Sequence, residues 1–220
     1  MKIKHIIWDW NGTLLDDLWL SIKAINIVLK RYHLPEINAD QYLEIFTFPV
    51  IDYYERLGFD FKKNPFKVVG TEFIEEYTKR QLKPALHESA MELITCLQQN
   101  GVTQSILSAA RQQMLDKLIK HHDLQSFFVN VIGQDDHYAH GKTNAGKVWV
   151  KSLDVQPHEV LFVGDTLHDL DVAKAIGADC VLVAGGHTGY HRLADSNATV
   201  FRNLRELKSW LNENSYCEES

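Results

Sequence analysis

Positive charge is in short supply in this chain: 23 lysines and arginines stand against 29 aspartates and glutamates in 220 residues, for a net charge of −6. That balance offers no basic face to nucleic acid or to an anionic membrane. A local basic pocket for a small phosphorylated molecule would not register in such a sum. Cysteine is scarce as well, with Cys96, Cys180 and Cys217 making an odd number without metal-like spacing. Cys96 and Cys180 lie in apolar stretches and read as reduced core or near-core residues, while Cys217 lies in a polar tail, Asn212–Ser220, expected to fray. This usage predicts a reducing compartment rather than a disulfide framework. No apolar run approaches the length of a membrane span. The chain enters a strand at once with no apolar leader before it, so a cytoplasmic protein is expected. Internal repeats and low-complexity tracts are absent too. What remains, 45% hydrophobic and 24% charged residues, is ordinary for a soluble globular protein and long enough for one core domain with a smaller insertion.

Short β-rich runs alternate with helical periods, which predicts an α/β protein with a parallel sheet covered by helices. Strands are expected at 3–8, 103–107, 128–132, 159–163 and 179–183. The first two are separated by about ninety residues without a convincing strand, too many for a plain crossover, so that segment should hold a separate helical piece. Its first helix is expected to begin near Asp16 and Asp17, acidic residues suited to a helix N-terminus. Leu18, Ile22, Ile25 and Leu29 then recur on one helical face. Asn64-Pro65 reads as an N-cap followed by proline at the first helical position, with Phe66, Val69, Phe73 and Tyr77 packing along the helix behind it. From Pro84 the core resumes, with a stripe of Ala90, Leu93, Ile94 and Leu97 closed by Gly101.

The chemistry is concentrated at strand ends. The apolar run Ile6-Ile7-Trp8 ends in Asp9, followed by Trp10-Asn11-Gly12-Thr13, which puts a carboxylate at the edge of a buried strand where open α/β sheets place their ligands. A second run, Leu161-Phe162-Val163, ends in Gly164-Asp165, and Asp169 follows one helical turn later, so both carboxylates face one site. Carboxylates clustered at strand ends repel unless a cation lies among them, and Mg²⁺ suits such an oxygen-rich set. Ser108 and Ala109 follow the strand at 103–107.

In order and spacing these pieces resemble the haloacid dehalogenase-like superfamily, whose first motif reads Asp-x-Asp-Gly-Thr and whose fourth reads Gly-Asp-x-x-x-Asp. The resemblance covers residues 1–15 and about 84–205. It implies a Rossmann-like parallel sheet core, 1–15 and 84–220, with an α-helical cap, 16–83, inserted as in the phosphoglycolate phosphatase-like branch. It further implies a Mg²⁺-dependent hydrolase of small phosphorylated metabolites, in which Asp9 is the nucleophile and forms an aspartyl-phosphate. Ser108 and the neighbouring amide at Ala109 would bind phosphoryl oxygens. Asp9, the main-chain carbonyl of Asn11, Asp165 and Asp169 would hold the metal. A family lysine balances the nucleophile's charge and contacts the phosphoryl group; Lys142 and Lys147 stand 23 and 18 residues ahead of Asp165, and Lys142, at a helix start, is the choice.

The departure from the pattern is Asn11, where the family has an aspartate acting as general acid and base. A carboxamide gives a leaving alkoxide no proton and cannot activate water, a loss typically worth about 10²–10⁴-fold. Three readings follow: a phosphatase with a reduced rate or a relocated acid/base, such as His168 or a cap-side residue; a phosphate-binding protein of weak turnover; or phosphonate cleavage, suggested by Trp10. The last needs a Schiff-base lysine in the cap, and Phe46–Arg56 contains none. His187 and His191 follow the strand at 179–183 in a glycine-rich loop, read as a solvated connection that could reach the site edge.

Overall fold

A computed structural model of the chain describes residues 3–134 and 141–217. In chain order the elements are β1 (His5–Trp8), α1 (Leu18–Arg31), α2 (Ala39–Ile45), α3 (Val50–Arg56), α4 (Phe66–Thr78), α5 (Ala90–Gln99), β2 (Thr103–Arg111), α6 (Gln112–His121), β3 (Asn130–Gln134), α7 (Lys142–Ser152), β4 (Val160–Gly164), α8 (Leu167–Ile176), β5 (Asp179–Val183), α9 (Tyr190–Ala194), β6 (Thr199–Phe201) and α10 (Leu204–Glu213). The strands form one parallel sheet in the order β3-β2-β1-β4-β5-β6.

All four residues of β1 are buried, as a central parallel strand requires. Ile6 and Trp8 pack on one face of the sheet, with α5, α6 and α10; Ile7 packs on the other, with α7 and α8. The chain leaves β1 for β2 and β3 on one side and returns for β4, β5 and β6 on the other. The strand order therefore reverses between β1 and β4, and ligands of open α/β sheets bind in the crevice at the carboxyl ends of such strands.

The five expected strands are present. The sixth, β6, has three residues, too few for an alternating pattern to register. β2 runs on through Ser108 to Arg111 with a register shift after Leu107, so Ser108 belongs to the strand and α6 starts only after Arg111.

Helices α1–α4 occupy the segment between β1 and α5. The buried surface of α1 is wider than the expected stripe. Leu20 and Ala24 meet Tyr77, while Ile25, Val28 and Leu29 join Tyr53, Tyr54 and Val69 in an aromatic-rich cluster. α4 begins at Phe66 with Pro65 itself as the cap, so Asn64 does not cap it. The two connections to this segment run side by side, Asp16 N–H donating to Ala85 O and His87 N–H to Leu14 O, each at 2.9 Å.

The cysteine expectation needs correction. Cys96 and Cys217 form a disulfide, and only Cys180 is free. The tail is polar in sequence, yet Tyr216 and Cys217 fold back on the core; Cys217 is 1% exposed, and Ile3 N–H donates to the Tyr216 hydroxyl at 3.2 Å. No helix among the described residues is long and apolar enough to cross a membrane.

His5 lies fully buried beneath α7, its Nδ1 2.7 Å from Thr103 Oγ1 and its Nε2 2.8 Å from Ser105 Oγ. Burial lowers its pKa to about 4. The unfolded chain takes up this proton near pH 6.5, well before the folded one, so the contribution of neutral His5 is whole above about 6.5 and is lost as pH falls toward 4. Thermal unfolding of His5→Gln between pH 7.5 and 4.5 is expected to show a shallower acid decline than the wild type, by up to about 3 kcal/mol.

Candidate active site

Trp8 pairs with Val163 across β1 and β4, and Asp9 N–H donates to Val163 O at 2.8 Å. Asp9 and Asp165, each following the last residue of its strand, are therefore set side by side at the carboxyl edge of the sheet. Asp169 joins them from the first turn of α8. There it accepts from the Thr166 hydroxyl at 2.7 Å and the Thr166 N–H at 3.0 Å, in a reciprocal cap that pins its side chain. The three carboxylates are buried, with ligand atoms within 4.8 Å of one another. Lys142, the first residue of α7, reaches into the cluster from the other side of β1. Its ammonium lies 2.5 Å from Asp9 Oδ1 and 2.6 Å from Asp169 Oδ1. Lys147, one turn on, is exposed.

One ammonium among three carboxylates leaves a net negative, oxygen-rich and desolvated site, a donor set that suits a hard divalent cation such as Mg²⁺. Burial, reinforced by Asp169 and Asp165 and opposed by Lys142, pushes Asp9 up to about 8. Burial likewise raises Asp165 to about 6 despite His187. In Asp169 the burial penalty is overcome by Lys142 and the Thr166 bonds, and its pKa lies below the ordinary carboxylate range.

Backbone approach is as close as side-chain approach here. Gly12 has φ +78°, and a Cβ on it would stand 2.4 Å from Asp165 Oδ2; one on Gly186 would stand 2.2 Å from the same atom. The two glycines let the loops after β1 and β5 close on Asp165, whose carboxylate accepts from Thr13 Oγ1 at 2.9 Å and His187 N–H at 2.6 Å.

The Asn11 side chain is tied toward the helical segment. Its Nδ2 donates to Asp17 Oδ2 at 2.8 Å and to the Tyr77 hydroxyl at 3.0 Å. Asp17 also accepts from Tyr77 at 2.7 Å and from Gly12 N–H at 2.9 Å, and it lies 3.3 Å from His187 Nε2. Asp17 thus stands at the start of α1 as expected but caps nothing there. It is 1% exposed and turned into the site, while Asp16 stays exposed. Burial opposes the charge on Asp17, but His187 and the bonds from Tyr77 and Asn11 keep its pKa below the usual range. His187 is correspondingly held protonated, up to about 9, the penalty of burial being outweighed by Asp17, Asp165 and Asp9.

Ser108 and Ala109 line the same cavity as Asp9, Asn11, Lys142, Asp169 and His187, a cleft of about 180 Å³ between the sheet edge and helices α1–α4. The Ser108 hydroxyl is buried and accepts from Ala110 N–H at 3.1 Å, leaving its own proton to donate. His168 is not brought in. It stacks on Phe48 at 4.6 Å and lines a separate, smaller cavity with Asp171 and Arg192.

The profile of the haloacid dehalogenase-like hydrolases matches residues 6–183. The chain belongs to this family. It is 27% identical over 203 residues to the pyrophosphatase PpaX of Anoxybacillus flavithermus, covering 88% of this chain and 89% of the relative. It is 26% identical over 137 residues to phosphoglycolate phosphatase 1 of Pseudomonas aeruginosa, a match that spans 61% of this chain and half of that protein. Among solved structures, a haloacid dehalogenase-like hydrolase from Streptococcus pneumoniae superposes with a TM-score of 0.79 at 16% identity, covering 94% of this chain and 98% of the other.

Two residues of this haloacid dehalogenase-like site escape a reading by motif, Asp17 and His187. The His187 loop is no solvated connection, since His187 and Thr188 are both buried, whereas His191 is exposed beside Glu44. The only sequence signal was the glycine pair at 185–186, which permits the close approach to Asp165.

Proposed function

We propose that this hydrolase is a Mg²⁺-dependent phosphatase of small phosphomonoesters, working through an aspartyl-phosphate on Asp9. The observation that carries the reading is the Lys142 ammonium held between Asp9 and Asp169, with Asp165 beside them, at the one end of a cavity roofed by helices. Names of relatives, a pyrophosphatase and a phosphoglycolate phosphatase, point the same way.

In this reading Asp9, Asp165, Asp169 and the main-chain carbonyl of Asn11 would hold Mg²⁺, which supplies charge neutralisation at the phosphoryl oxygens when bound. Lys142 orients the Asp9 carboxylate and contacts the transferring group, and the Ser108 hydroxyl and the amide at Ala109 donate to its oxygens. Asp9 attacks phosphorus, the ester oxygen departs, and water then releases phosphate from Asp9. Helices of the 16–83 cap exclude bulk water and select the leaving group. Asn11 hydrogen-bonds Asp17 and Tyr77 and takes no part in proton transfer.

That last feature favours a second reading, a phosphate-binding protein with little turnover. Phosphate release from a panel of small esters, with and without Mg²⁺ and with Asp9→Asn as the blank, separates the two. Release requiring both Mg²⁺ and Asp9 is expected; saturable phosphate binding without release above the blank would establish the binding protein instead.

A further inference from the structure

The cavity has two unlike ends. At the sheet edge are the carboxylates, Lys142 and Ser108; across from them the wall is built from Phe46, Tyr53, Phe66, Phe73, Ile74 and, from α6, Met114. Aromatic contacts run without a break from the catalytic edge into this wall. His187 packs on Phe46 at 5.4 Å, Phe46 on Tyr53 at 5.1 Å, Tyr53 on Tyr54 at 5.6 Å and Tyr54 on Phe66 at 5.4 Å. Among the described residues, the helical segment contributes no lysine or arginine to the cavity lining; its one charged contribution is Asp17. Arg111 also lines the cavity, but from the end of β2 on the sheet side, so a leaving group carrying its own carboxylate or second phosphate and seated against the helical wall would press an anion on an apolar surface without a counter-charge from the cap, a placement burial makes costly. The wall also holds one hydrogen-bonding group in reserve. The Tyr53 hydroxyl is buried and has no hydrogen-bond partner among the described residues, the condition of a polar atom awaiting a ligand.

The catalytic edge sets a second, independent constraint. With an amide at residue 11 tied to Asp17 and Tyr77, that side chain has no proton for the departing oxygen. An alkoxide leaves poorly without one. A phenolate, whose conjugate acid has a pKa near 10, leaves without one far more readily.

We propose that the substrate class is aryl phosphate monoesters, the phosphoryl group lying against Asp9 and Lys142 and the ring against Phe46, Phe66 and Phe73; this rests on the phosphatase reading above. The Asp9 Oδ–phosphorus bond forms as the phosphorus–aryl oxygen bond breaks. The electron pair leaves on the aryl oxygen, and the phenolate takes its proton from solvent. A water oxygen then bonds to phosphorus, the phosphorus–Oδ bond breaks, the Asp9 carboxylate is restored and the water's proton passes to solvent. The sum is aryl phosphate plus water giving phenol plus phosphate. Because the amide at residue 11 also withholds a base from the water of the second step, the first step outruns the second.

The test uses the full chain with Mg²⁺ and four probes: phenyl phosphate, n-butyl phosphate, phosphoglycolate and pyrophosphate. Phenyl phosphate is expected to exceed each of the others in kcat/KM by about 10²-fold or more. Rapid-quench measurement is expected to show a burst approaching one phenol per Asp9, absent in Asp9→Asn. Ile74 lines the cavity from α4 outside the packed hydrophobic clusters, so Ile74→Lys places a cation in the wall without emptying the core. That change is expected to lower kcat/KM for phenyl phosphate and raise it for phosphoglycolate about tenfold each. Asp9-dependent release in which phosphoglycolate, pyrophosphate or butyl phosphate equals or surpasses phenyl phosphate would overturn the aryl assignment and leave the phosphatase standing. An aryl preference with no change of preference in Ile74→Lys would overturn the role given to the wall. No Asp9-dependent release from any probe would overturn both readings.

Discussion

Lys142→Met is expected to lower kcat/KM by about 10³-fold and to destabilise the fold by about 3 kcal/mol. The side chain is 2% exposed, and among the described residues its ammonium is the one positive group paired with both Asp9 and Asp169. Methionine keeps the length and much of the volume of the stem, so the loss reports the charge. Without it, Asp9 and Asp169 face each other in a desolvated site, and one of them must take up a proton. In the proposed mechanism a protonated Asp9 is no nucleophile, and the phosphoryl group would lose its cationic anchor. The stability deficit has a direction in pH. The wild-type advantage comes from carboxylates that Lys142 keeps ionised, Asp169 above all, and it fades as pH falls and those groups protonate in either protein. Thermal unfolding of the two proteins should therefore converge only below the ordinary carboxylate range, beneath about pH 3.8, while the variant's activity stays low throughout. Lys147→Met, on the exposed side of the same helix, is the control and should change neither. Equal losses in the two variants would show that α7, rather than the Lys142 charge, had been perturbed.

How far the fold could be read before the structure depended on the length of each signal. β1, β4 and β5 are buried parallel strands, and unbroken apolar runs ending in aspartate, or passing into Ala-Gly-Gly, mark them directly. α8, bounded by the Thr166 cap and by Gly177 at φ +77°, carries both of its boundary signals in the sequence. β6 is three residues long and the end of β2 is irregular, and neither leaves a periodic trace. The Cys96–Cys217 pairing joins residues 121 apart in sequence, and the polarity around Cys217 hides the fold-back that buries it.

The site divides in the same way. Asp9, Asp165 and Asp169 are tied to strand ends and to one helical turn, so their convergence follows from the parallel sheet alone. The choice between Lys142 and Lys147 does not. It turns on which face of α7 looks under β1, and the distance to Asp9 decides it. Asp17 starts α1 as its sequence suggests, but its place in the site was not legible for a physical reason: an acidic residue before a helix is the ordinary signature of an N-terminus, and only the three-dimensional approach of Tyr77 and His187 draws its side chain inward. Conversely Asn11, which by motif alone is a defect, has a purpose in the structure. It is the amide that a buried carboxylate at Asp17 requires.

This pairing predicts the outcome of restoring the family's aspartate. Asn11→Asp alone would set two buried carboxylates in hydrogen-bond contact where an amide now donates to Asp17 at 2.8 Å. One of the two must then hold a proton, so the single change is expected to destabilise the fold by about 2 kcal/mol and to recover little activity. The exchange Asn11→Asp with Asp17→Asn moves the carboxylate six residues along the chain while keeping one amide and one carboxylate in contact, with Tyr77 still able to donate to the pair. It places a titratable group at residue 11, on the same cavity as Asp9, the nucleophile of the proposed mechanism. Phosphate release from n-butyl phosphate, whose alkoxide needs a proton, is then expected to rise by about 10²-fold or more over the wild type. With phenyl phosphate the same exchange should abolish the phenol burst, because the water of the second step now has a base and dephosphorylation no longer lags. His187 loses its partner Asp17 in both the exchange and Asp17→Asn, so that single variant reports the stability of the unpaired histidine separately. If the exchanged protein folds, binds phosphate and yet hydrolyses n-butyl phosphate no faster than the wild type, then proton transfer does not limit this site, and residue 11 is structural in this chain.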